Sequence, residues 1–209
     1  MTIRLKLTMA SIAAILVANS ILSLVGVEYL GSVWLNEVQT RVRRNINAAW
    51  AAYNGRIDRM VYFLRAVSVD RTLADALERN DRTQLSSLVQ DVHRTGGMDF
   101  LCVLDPTGRV IYRARNPERN GDDLSENPIV AQALQKREPV SGTIVLSAKN
   151  LADEGEDLAA RARFELLPTP AAHPTEEKLR SDGLVLAAAV PILDSQGRLL
   201  GILYAGDFL

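Results

Sequence analysis

The chain is 209 residues long, with 47% hydrophobic residues, 23% charged residues and a formal net charge of −1. That length holds one domain plus an anchor, or two very small domains, and a charge so near zero supplies no field to draw nucleic acid. The single cysteine, Cys102, excludes an internal disulfide, so an exported domain of this sequence must be stable without cross-links.

From Leu7 to Val27 no residue is charged (LTMASIAAILVANSILSLVGV). As a helix this run rises roughly 30 Å, the thickness of a bilayer's hydrocarbon core. Arg4 and Lys6 precede it, and Tyr29 and Trp34 follow where interfacial aromatics are expected. The pattern predicts a cytoplasmic N-terminus over residues 1–6 and a membrane helix over 7–29, with the lipid bilayer as a partner. A cleaved signal peptide is the alternative, disfavoured by the length of the run and the lack of a small-x-small site. The basic N-terminal flank favours an inside N-terminus, while Arg41, Arg43 and Arg44 beyond the span oppose it.

Apolar residues then recur every three or four positions: Leu35, Val38, Val42, Ile46, Ala49, Tyr53, Ile57, Met60, Leu64 and Val67. This is one continuous helical stripe. It must be buried on its own domain, against a twin helix, or on each along different lengths. A second helix is predicted over Arg82–Thr95, capped by Asn80 or Asp81 and stopped at Gly96-Gly97. Residues 30–97 therefore read as a long stalk helix and a shorter second helix.

The period changes at Phe100. FLCVLDPTGRVIYRA reads as two strands around a turn with proline second and glycine fourth. Pro128 to Lys136 reads as a short helix with Asn127 as its cap and proline at its first position. SGTIVLS is a third strand, and LVLAAAVPIL and LLGILYAGDFL form a second hairpin across Asp194-Ser195-Gln196-Gly197. Residues 98–209 are thus expected to form an α+β domain around a five-stranded antiparallel sheet flanked by helices. An insertion over 150–183 contains acidic Asp153 to Asp157 and Pro168, Pro170 and Pro174. Its stretch Glu156 to Leu167 is open to a helix, and the whole is either a functional lid or a disordered excursion.

The order of these parts resembles the Cache family of extracytoplasmic, PAS-like sensors. It is carried by the membrane and stalk helices, the strand–DPTG–strand unit, NGDDLSENPIV, VSGTIVLS and AAAVPILDSQGRLLGILYAGD. LLPTPAAHPTEEKLRSDGLVLAAAVPILD followed by GILYAGD is most similar to sensors of histidine kinases. The resemblance implies a ligand-sensing region, displayed outside the bacterial inner membrane, of a two-component sensor histidine kinase whose output domain lies beyond this sequence. A chemoreceptor or a cyclic-dinucleotide enzyme is the alternative parent, and a parallel homodimer through the stalk is the expected assembly. A membrane-anchored exported hydrolase is the reading from another class.

No catalytic set supports that last reading. His93 and His173 have no partners at metal-ligand spacing, no phosphate loop is present, and Ser141 and Ser147 lack a nucleophile-elbow context. Neither a metal nor a cofactor is expected, and Cys102 reads as packing. In the Cache family the ligand lies between the sheet and the inserted helices. This brings forward Tyr112, Arg113, Arg115, Ser141, Thr143, Tyr204 and Asp207, of which alternation directs about half inward. Arg113 and Arg115 fall on one face, opposite Tyr112. Two cations facing inward need an anion: either a small ligand bearing a carboxylate supplies it, or Asp122-Asp123 and Glu154 to Asp157 do so internally. Asp207 would instead suit an amine.

Overall fold

The computed structural model describes residues 3–167 and 179–209, and side chains of residues 4–14 and 24–36 lie outside that description. Pro168, Pro170, His173 and Pro174, and the side chains of Arg4, Lys6, Tyr29 and Trp34, are thus outside the described residues. The apolar stripe lies on one helix, α1 (Ile3–Ser68). The chain divides into two compact units, Met1–Tyr53 and Asn54–Leu209.

In the first unit Val38, Val42, Ile46 and Trp50 of α1 are exposed. Among the described residues no helix is long and apolar enough to cross a membrane.

In the second unit the same stripe turns inward: Met60 and Leu64 are buried. The helix stops where Ser68 Oγ donates to the Arg65 carbonyl and the Asp70 carboxylate accepts the Thr72 N–H, capping α2 (Arg71–Glu78). The sequence reading contains no such element. Only Leu73 and Ala76 are buried along these eight residues, too few to register as a period. The second predicted helix is α3 (Arg82–Gly96), capped by Asp81 and ended by Gly97 at φ 65°.

Strands β1 (Phe100–Leu104) and β2 (Val110–Arg113) form the first hairpin. Its turn is fixed by Asp105 Oδ1, which accepts the N–H groups of Thr107 and Arg109. Then follow α4 (Pro128–Lys136), β3 (Val140–Leu146), α5 (Ala148–Glu154) and α6 (Glu156–Arg161). The short pair β4 (Phe164–Glu165) and β5 (Leu179–Arg180) precedes β6 (Gly183–Leu193) and β7 (Leu199–Phe208). The main sheet runs β2-β1-β7-β6-β3, antiparallel throughout. The expected α+β class and five strands are thereby met. Pairing of β3 with β6 ends at Ala189, so Pro191, which has no N–H, falls past that ladder.

Helices cover both faces. On one, Cys102, Ala187, Ile202 and Tyr204 build a core with Ile129 and Val130 of α4, Leu151 of α5 and Leu158 of α6. On the other, Leu101 and Leu203 meet Val67, Leu73 and Val89 around a small gap. The strands approach closely at Gly201, where an added Cβ would lie 2.5 Å from the Leu104 carbonyl oxygen.

Candidate functional site

The register pairs Arg113 with Cys102 and Tyr112 with Val103. Alternation therefore sends Arg113 to the face under α4, α5 and α6. Tyr112 goes to the opposite face, where its hydroxyl accepts from Gln90 Nε2 of α3 at 2.9 Å.

Arg113 is only 1% exposed, and a guanidinium taken from water needs both a counter-charge and acceptors for its N–H groups. It has both. Its two terminal nitrogens grip Asp122 Oδ1 and Oδ2 at 2.7 Å each. Nη1 also donates to the Arg119 carbonyl at 2.8 Å, and Nε to Glu154 Oε1 at 3.0 Å. Glu154 Oε2 accepts from Cys102 Sγ at 2.9 Å. The loop bearing Asp122 is clipped to β2 by two backbone bonds, Val110 N–H to Asp122 O and Gly121 N–H to Val110 O.

The two carboxylates differ in setting. Asp122, 40% exposed, is held below its usual pKa, mainly by its hydrogen bonds from Arg113. Glu154 is pushed above its usual value by burial, against the pull of Arg113. Burial acts to lower the Arg113 pKa, but the Asp122 hydrogen bond and the Glu154 charge raise it overall. Burial, followed by the Glu154 charge, drives the Cys102 thiol well up, which removes it as a nucleophile at neutral pH. Tyr204 lies beside this cluster, and its hydroxyl accepts from Asn127 Nδ2 at 3.1 Å.

In front of the cluster opens a cleft of about 570 Å³ between the start of α4, the end of β3 and α5. Asp122, Asn127, Asn150 and Asp153 line both the cleft and the recess behind it, which reaches Arg113, Glu154 and Tyr204. Acidic groups dominate the cleft wall: Asp122, Asp123, Glu126 and Asp153 against Lys149. Among the described residues no cluster of three or more His, Cys, Asp or Glu side chains is placed to hold a metal.

Of the residues singled out in the sequence, Arg113 and Tyr204 come together at this recess. Arg115 lies on the same side but points to α6, where Nη2 donates to both oxygens of Asp157 at 2.8 Å. Ser141 and Thr143 are exposed, alternating on β3 with Ile144, which packs on the core. Asp207 points to the other face and accepts from Arg56 Nε of α1 at 3.0 Å.

Several wall residues escaped the sequence reading. Asn127 reads as a helix cap, and it does accept from the Ile129 and Val130 N–H groups, while its amide also reaches Tyr204. Glu154 is named from the sequence only as a possible counter-ion of the arginines, and on α5 it shares a face with Asn150 and Asp153 by spacing. The signal for that helix is Ser147, whose hydroxyl accepts the Asn150 N–H.

Several solved structures resemble this fold. The extracellular domain of vpHK1S-Z8, described as a histidine kinase, superposes with a TM-score of 0.53 at 15% identity, over 84% of this chain and 60% of that one. The Escherichia coli DcuS sensor domain gives 0.49 at 13% identity, over 74% of this chain and 89% of that one. The Vibrio cholerae histidine kinase DctB sensor domain gives 0.49 at 16% identity, over 84% of this chain and 56% of that one. This chain thus spans little more than half of two of these three domains. No curated protein matches the sequence. The family model described as a double sensory domain of two-component sensor kinases matches residues 35–209, and the chain belongs to that family of Cache sensor domains.

Proposed function

We propose that this chain is the ligand-sensing region of a membrane-bound sensor histidine kinase, and that a small polar molecule occupies the cleft beside Arg113 and Tyr204. The observation that carries the reading is the cleft itself. It is concave, lined by convergent polar groups, and backed by a fully paired buried cluster, as ligand sites generally are. The uncharged run Leu7–Val27 supports an inner-membrane anchor with residues 1–6 inside and the sensor outside. The exposed Val38, Val42 and Ile46 support a parallel homodimer through α1.

The excess of carboxylates along the wall favours a ligand with a positively charged group. A ligand carboxylate is the second reading, favoured by Lys149, an exposed cation on the wall. It would engage Arg113 only by displacing Asp122 or Glu154. A thermal-shift screen of the full chain in detergent, against small amines, amino acids and organic acids, tests the proposal through mass action. Stabilisation by at least one class is expected, with loss of the shift in Asp153→Ala or Asn150→Ala. No stabilising compound in any class, or shifts indifferent to both substitutions, would remove the cleft as the site. Alkaline phosphatase joined after Leu209 should be active if the sensor lies outside the cytoplasm, and inactivity would overturn the topology.

A further inference from the structure

We propose that Asp99 and Asp207 form a junction through which displacement of the cleft-side helices is passed to α1. The inference rests on the sensor reading above and concerns how occupancy would leave the site. Asp99 stands just before β1 and engages neighbours with every polar group it has. Its Oδ1 accepts from Arg161 Nη1 of α6 at 3.0 Å, and its carbonyl accepts from Arg115 Nη1 at 3.2 Å. Arg115 in turn holds Asp157 of α6. On the opposite side, Asp99 Oδ2 accepts the Phe208 N–H at 2.7 Å, and its own N–H donates to Asp207 Oδ1 at 3.3 Å.

Asp207 Oδ2 completes the chain by accepting from Arg56 Nε of α1. The Arg161 guanidinium also lies over the Phe208 ring, 5.1 Å from its centroid. Two arginines thus tie α6 to Asp99, and two contacts tie Asp99 to the end of β7, which holds α1. Only Gly155 separates α6 from α5; its N–H donates to the Leu151 carbonyl and its own carbonyl accepts the Leu158 and Ala159 N–H groups, which ties α6 to the helix that carries Asn150, Asp153 and Glu154. Charge-assisted bonds weaken steeply when stretched or tilted. The carboxylates of Asp99 and Asp207 are only 25% and 14% exposed, which limits screening by solvent. A chain of contacts alone does not demonstrate coupling, and a non-additive pair of substitutions does.

The test is amide hydrogen exchange of the full chain in detergent, without ligand, read over residues 54–62. Asp157→Asn touches no residue of α1, yet it should speed exchange there about threefold, within the range measured for coupled sites. In an Asp99→Asn background the same substitution should add nothing. If Asp99→Asn does not fold, the cycle of Asp157→Asn with Arg56→Gln carries the same decision. A non-additive effect on α1 exchange supports the junction. An effect confined to α6, or strictly additive effects in either cycle, overturns it. Because no ligand is used, such a failure leaves the ligand screen, and hence the sensor reading, standing.

Discussion

Replacing Arg113 with methionine removes the counter-charge of a carboxylate whose side chain is 5% exposed. Asp122, at 40% exposure, regains water when the guanidinium leaves. Glu154 does not. Breaking a buried pair from one side typically costs about 3–5 kcal/mol, and the cost here falls on Glu154. Urea unfolding of the full chain in detergent should show this as a midpoint lower by about 2 M, taking a slope near 2 kcal/mol/M. Arg113→Met combined with Glu154→Met should recover most of the loss, because an apolar pair of similar volume leaves no stranded charge.

The pH dependence has a fixed sign. Burial already raises the Glu154 pKa in the folded state, so the folded chain holds that proton more tightly than the unfolded chain. The resulting stability is fully present below the unfolded value and is lost as pH rises through the folded value. Without Arg113 the folded value climbs further, so the shortfall should be smaller near about pH 4.5, close to an ordinary glutamate value, than at pH 7. A loss under about 1 kcal/mol, a shortfall independent of pH, or a double variant no better than Arg113→Met would refute the reasoning.

Gly201→Ala should lower the melting temperature measurably and cost about 1–3 kcal/mol. Its new methyl meets the Leu104 backbone oxygen rather than a side chain that can turn aside. A neutral result by calorimetry would mean that the β1–β7 ladder yields freely there. Asn127→Ala should cost about 1–2 kcal/mol through the lost helix cap. Tyr204→Phe should cost less, since it removes only the hydroxyl contact to Asn127. Equal losses would show the cap to be unimportant. For the stalk, single cysteines at Val38, Val42 and Ile46 should cross-link between chains more readily than cysteines at Gln39 or Arg43, and equal yields would argue against a helix pair through that stripe.

Most of the sheet was legible because its signals are local. Asp105-Pro106-Thr107-Gly108 and Asp194-Ser195-Gln196-Gly197 mark both hairpins, and alternation placed Arg113 and Tyr112 on opposite faces. The internal counter-ions of Arg113 were legible as one of two possibilities, but choosing between them depends on tertiary placement. Asp122 reaches Arg113 by a loop folding back on β2, and Glu154 reaches it from a helix forty-one positions away. The candidates that missed the cleft did so for a simple reason. Ser141 and Thr143 have the parity of the exposed side of β3, and Asp207 has the parity of the α1 side of β7. Nothing in the pattern of β7 says which parity faces the cleft, because helices pack on both of its faces. Elements as short as α2 and α5 were missed because their caps, Asp70 and Ser147, carry the signal and their apolar residues do not.

The clip between β2 and its following loop has a consequence for association of the sheet itself. A terminal strand with free backbone groups is a template for an added strand. On the β2 side that template is already engaged, because Val110 bonds both to Asp122 and to Gly121, and Arg109 bridges to Asp123. On the far side β3 is the last strand of the sheet among the described residues. At Val110 and Arg109 the β2 margin of the sheet therefore has no spare backbone groups to offer an added strand.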